Sequence, residues 1–105
     1  MTNPRVRIAV ALLLAAAVPI AALQANPSAR SPDQIYQTYC GACHGTGWNG
    51  APISNIEGDW EMRTAAGMDA MLANVKQGLN TMPPMGTCMD CSDAELRAVI
   101  EKMIE

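Results

Sequence analysis

Residues 40–44 read Cys-Gly-Ala-Cys-His. Two thiols at C-x-x-C spacing followed at once by an imidazole form the attachment signature of c-type haem. The spacing has a geometric reason. Two thiols on one helical turn can add to the two vinyl groups of a porphyrin as thioethers, and the adjacent His44 then directs its ring at the iron. Covalent links of this kind hold a haem in a chain too small to enclose it by packing alone.

A second C-x-x-C, Cys88 and Cys91, lies in the stretch TMPPMGTCMDC at 81–91. Three other chemistries use some of these residues. All four cysteines could hold zinc, but 44 residues separate the pairs, longer than the usual ribbon spacing. A thioredoxin-like dithiol needs a βαβ context, which the pattern lacks. The third is a plain disulfide domain carrying the pentapeptide by chance. Ser92 stands where a second haem attachment would need histidine.

His44 is the only histidine in the chain. A sixth iron ligand must therefore be Met, Lys, an amino terminus, or nothing. Met82 is the best placed, because Pro83 pushes it toward extended geometry and two prolines stiffen the backbone after it. Met85 is its rival. A thioether opposite histidine favours ferrous iron and raises the reduction potential. Met62, Met68, Met71, Met89 and Met103 read as core or surface fillers.

Helices and long loops must position these residues. Ser31, Pro32 and Gln34 form a capping box with proline at the first helical position. Ile35, Tyr36 and Tyr39 supply the apolar face of a helix running into Cys40 and ending near Gly41. GTGWNGAPISNIEG (45–58) reads as loop. Asp59 is the expected cap of a short helix over Trp60–Ala65. A helix over about 69–77 carries Met68, Leu72, Val75 and Leu79 on one stripe, with Gly78 closing it. Ser92 and Glu95 form a second capping box. Leu96, Val99, Ile100 and Met103 line the helix that follows. No segment alternates convincingly as a strand. The expected fold is all-α, with about four short helices and loops long enough to need an ordering cofactor.

Arg5 and Arg7 precede an uncharged run from Ile8 to Leu23. This reads as a secretory signal peptide over residues 1–25, and an uncleaved membrane anchor is the alternative. Residues 26–105 then form the single domain. All ten acidic side chains fall there with only five basic ones, for a net charge of −5. That balance disfavours nucleic acid and anionic membrane, and favours partners with basic docking patches.

Several separate blocks now carry a family resemblance: CGACHGTGWNGAP, GDWEMR, GLNTMPPMGTCMDC and SDAELRAVIEKM. The sequence resembles bacterial class I cytochromes c, within them the cytochrome c5 type, over about residues 31–105. The resemblance implies one covalent haem c, with thioethers from Cys40 and Cys43, His44 as proximal ligand and Met82 as distal ligand. It implies a Pro52 carbonyl on the second nitrogen of His44, and Trp60 and Arg63 near the haem propionates. It also implies a Cys88–Cys91 disulfide that pins the Met82 loop to the last helix. The implied role is a periplasmic one-electron carrier, not an enzyme, serving redox partner proteins through an exposed haem edge framed by residues such as Met85. A small-ligand sensor or weak peroxidase, and a fixed subunit of a larger redox complex, are the alternatives.

Overall fold

The computed structural model describes residues 14–17 and 29–105. Most of the expected leader lies outside the described residues. Among those described, no helix is long and apolar enough to cross a membrane.

The chain is helical, without a sheet among the described residues. It opens with a continuous rod of three pieces: α1 (Pro32–Ile35), a π-helical stretch (Tyr36–Cys40) and α2 (Gly41–His44). Three more helices follow: α3 (Glu57–Ala66), α4 (Met68–Gln77) and α5 (Asp93–Ile104). Both capping boxes form, Ser31 with Gln34 and Ser92 with Glu95, each satisfying two backbone N–H groups that a helix start leaves bare.

The rod runs beyond its expected end at Gly41. Gly41 N–H bonds the Tyr36 carbonyl, so the glycine serves as an interior residue of a widened turn. The helix stops only at Gly45, and the whole C-x-x-C-H motif is therefore helical. α3 also starts earlier than expected, after Ile56, with no side-chain cap. Asp59 caps nothing because its carboxylate reaches back to the backbone N–H of Ile53.

The core lies where the rod, α4 and α5 meet. Ile35, Met71, Leu72, Leu96, Val99, Ile100 and Met103 are buried there with Cys88 and Cys91. Leu96, Val99, Ile100 and Met103 form the expected stripe of α5. The α4 stripe differs from expectation at its Leu79 end, and Met71 joins it in the core. Leu79 is 45% exposed. Gly78 takes φ 81° and turns the chain out of helical register before Leu79 is reached. Cys88 Sγ and Cys91 Sγ lie at bonding distance, 2.00 Å.

Long-range polar contacts close the fold around this core. Arg30 donates from its backbone N–H and its guanidinium to the Glu95 carboxylate, and also pairs with Asp90. The arginine holds Glu95 down to about 2, with the Ser92 N–H contributing. Asn55 closes the other end of α5: its backbone N–H bonds the Met103 carbonyl at 2.7 Å and its amide bonds those of Lys102 and Glu105.

Candidate haem site

Cys40, at the end of the π-helical stretch, and Cys43 and His44 on α2 lie within about one turn. Cys40 and Cys43 are half-buried free thiols. Burial, and then the neighbouring Cys43, push the Cys40 thiol up to about 11. The pair lies on a helical rod with no sheet among the described residues, so it lacks the βαβ context of a thioredoxin-like centre. Nor do the four cysteines assemble for zinc. Among the described residues, the one cluster of potential metal ligands is Cys88, Asp90 and Cys91, and two of its sulfurs already lie at bonding distance from each other.

His44 is 7% exposed. The chain leaves it at Gly45, passes through a 3₁₀ turn at Trp48–Gly50, and returns. Ser54 N–H donates to the His44 carbonyl at 2.7 Å, and the Pro52 carbonyl sits 2.8 Å from His44 Nδ1. A carbonyl only accepts, so Nδ1 must carry the proton. In the neutral ring Nε2 is then the nitrogen with a free lone pair, which is the form that binds a metal.

Trp60 packs against this arrangement. Its ring centroid lies 5.9 Å from that of His44, with the planes 28° apart. The indole N–H donates to the Ile53 carbonyl at 2.8 Å. Trp60 thus braces the loop that returns to His44. Arg63 is exposed and donates to the Asp59 carbonyl at 2.6 Å. It stands on an open cavity of about 450 Å³ whose wall also includes Thr46, Pro52, Ile53 and Asp59.

Met82 belongs to a separate loop. Leu79 and Met82 exchange both backbone hydrogen bonds, at 3.1 and 2.9 Å, and fold the chain back over Gly78. Thr81 Oγ1 donates to the Asn49 carbonyl at 3.1 Å, so this loop is tied to the one that follows His44. Met82 is half-buried. Met85 is also half-buried, packs against the core and has φ 63°. Trp48, at 65% exposure, is the more open side chain.

The structure therefore brings His44, Pro52 and Trp60 together, sets Arg63 on the cavity rim, and ties the Met82 loop to the His44 side through Thr81. Sequence reasoning missed the Thr81–Asn49 bond and the role of Ile53, whose backbone is held by both Asp59 and Trp60. No local pattern marks either, because each depends on the path of the 45–56 loop.

The comparisons with known proteins fit this geometry. A family model described as cytochrome C oxidase, cbb3-type, subunit III matches residues 27–101. Cytochrome c5 of Azotobacter vinelandii is 52% identical over 77 residues, covering 71% of this chain and 93% of that protein. The chain belongs to the class I c-type cytochromes. Within them this cytochrome is similar to cytochrome c5, including that of Ectopseudomonas mendocina, 48% identical over 84 residues and covering 78% of this chain and 97% of its relative. A mono-haem ferrocytochrome c from Shewanella putrefaciens shares the fold at TM-score 0.67 and 46% identity, over 70% of this chain and 91% of that one. So does a chain in the crystal structure of an electron transfer complex of nitrite reductase with cytochrome c, at TM-score 0.65 and 33% identity, over 77% and 95%. This cytochrome is a small electron carrier with one covalently attached haem c. The donor set suits that group: two thiols at C-x-x-C spacing and a buried imidazole whose Nδ1 is held by Pro52, all three side chains on one helical rod.

Proposed function

We propose that this cytochrome is an exported, periplasmic one-electron carrier whose haem is held by Cys40, Cys43 and His44 on one side and Met82 on the other. Haem iron supplies the one-electron couple when bound. The protein's residues do the rest. Cys40 and Cys43 hold the porphyrin by thioethers, and His44 presents Nε2 while Pro52 keeps the proton on Nδ1. Met82 offers a thioether from a loop stiffened by Pro83 and Pro84. With His44 and Met82 both supplied by this chain, bound iron would keep the same protein ligands in both oxidation states, which suits electron transfer better than catalysis. The observation that carries this reading is the His44 Nδ1–Pro52 O bond of 2.8 Å, which leaves Nε2 as the ligating atom.

Export through the 1–25 leader supports the periplasmic location, and it would also permit a Cys88–Cys91 disulfide. Arg63 on the cavity rim is suited to a haem propionate, as a charge-assisted partner for a carboxylate. The net charge of −5 over residues 26–105 favours redox partners with basic docking patches. The nitrite reductase complex of a relative supports a protein partner of that redox class. The family name also raises a second reading, a fixed subunit of an oxidase. A purified native species much larger than the 105-residue chain would favour that reading.

The ligand assignment is tested by Met82→Ala. We expect haem to stay attached while the long-wavelength band that methionine sulfur gives ferric haem disappears. If Met85→Ala removes the band and Met82→Ala spares it, the assignment is wrong.

A further inference from the structure

We propose that Asp59 is a positioning residue for the proximal iron ligand, acting on His44 through the single peptide group that joins Pro52 to Ile53. The inference rests on the reading of His44 as iron ligand, and extends it to residues that touch neither iron nor porphyrin. The Pro52 carbonyl accepts from His44 Nδ1 at 2.8 Å. The Ile53 N–H of that same peptide donates to Asp59 Oδ2 at 2.8 Å. A peptide is planar and nearly always trans, so its C=O and N–H point in opposite directions. Fixing the N–H therefore fixes the aim of the carbonyl. The next residue of α3 secures the following peptide, since Trp60 Nε1 donates to the Ile53 carbonyl at 2.8 Å. Consecutive side chains of one helix thus hold both backbone polar groups of Ile53.

Two features make this more than ordinary loop bracing. Pro52 and Ile53 form part of the wall of the same cavity that Arg63 rims, so the peptide held by Asp59 lies beside the surface proposed for a haem propionate. The acceptor on Ile53 is also a carboxylate. A charge-assisted bond to the N–H of a peptide polarises it and makes its carbonyl a stronger acceptor. The chain Asp59 carboxylate, peptide, His44 imidazole passes electron density toward Nε2. A more electron-rich imidazole favours ferric iron, so Asp59 lowers the reduction potential.

The test uses the haem-loaded protein. In the ferrous form, proton NMR follows hydrogen exchange of the His44 Nδ1–H, and redox titration follows the potential. Asp59→Ala removes the acceptor and the charge. Asp59→Asn removes the charge and keeps an acceptor oxygen. Glu57→Gln, on the same helix without contact to the peptide, controls for charge alone. We expect Asp59→Ala to speed Nδ1–H exchange roughly tenfold, the scale of a lost charge-assisted bond, and to raise the potential above that of the Glu57→Gln control. Asp59→Asn should restore most of the exchange protection and lie between wild type and Asp59→Ala in potential. Should Asp59→Ala fail to accumulate, Trp60→Phe keeps a ring against His44 and releases the Ile53 carbonyl, and should also speed the exchange. The proposal is overturned if the available variants lose stability while Nδ1–H exchange stays at the wild-type rate. If the wild type shows no haem-shifted Nδ1–H resonance from His44, the proximal assignment falls and the inference with it.

Discussion

Gly78→Ala is the substitution expected to couple fold and ligand most directly. Gly78 has φ 81° and ψ 155°, a region that is almost glycine-only and costs another residue about 1–3 kcal/mol. Sterics add to this. A Cβ on Gly78 would stand 2.8 Å from the Met82 carbonyl oxygen and 3.0 Å from Pro84 N. These are backbone atoms and cannot swing aside. Overpacking of this kind costs roughly 1–3 kcal/mol, giving about 2–6 kcal/mol together. A domain's total stability is about 5–15 kcal/mol, so the loop carrying Met82 should move before the whole chain unfolds. Gly50→Ala supplies the control. Its φ is 82°, but a Cβ there meets nothing within 4 Å, so only the conformational cost remains. In guanidinium unfolding of the haem-loaded protein, Gly78→Ala should lower the midpoint by roughly 1 M and Gly50→Ala by clearly less. Only Gly78→Ala should weaken the methionine–iron band. If the two variants lose equal stability and both keep the band, the close approach at Gly78 does not position Met82 and the reasoning fails.

Three further outcomes follow from the contacts that close the fold. Asn55 has φ 62° and its amide serves two carbonyls at the end of α5. Asn55→Ala should cost about 2–3 kcal/mol by chemical denaturation, and Asn55→Gly about 1 kcal/mol less, because glycine avoids the left-handed backbone penalty. Glu95 is lowered from its ordinary 4.5 to about 2, chiefly by Arg30. A carboxylate held low stabilises the fold above its unfolded value and loses that contribution as the pH falls through the folded one. Wild type and Glu95→Gln should therefore differ most at neutral pH and converge between pH 4.5 and 2 in thermal melts; a gap constant with pH would contradict the Arg30 pairing. Replacing Cys88 and Cys91 together by serine should leave haem attached, by mass, and destabilise the fold by roughly 2 kcal/mol. Loss of haem in that variant would mean the two cysteine pairs share one site.

Much of the site is legible in sequence because its chemistry is local. C-x-x-C-H needs only one helical turn to set thiols and imidazole together, and Ser31 with Gln34, like Ser92 with Glu95, closes within three residues. The α5 stripe of Leu96, Val99, Ile100 and Met103 reads correctly because nothing interrupts its period. The α4 stripe misleads at Leu79, because one glycine backbone angle ends the register. The rod passes through Gly41 because a π turn keeps that residue bonded, a choice no propensity encodes.

Composition and motif alone settle an all-α chain with a haem attachment signature, since spacing within a turn constrains covalent chemistry. Tertiary structure decides where long-range polar partners go. Asp59 serves Ile53 and not its own helix start, Trp60 spends its N–H on a loop carbonyl, Asn55 closes α5, and Arg30 meets Glu95 across 65 residues of sequence. The reason is physical. Backbone groups in long loops must find partners when they leave water, and which side chain reaches them is set only when the loop has folded against the helices.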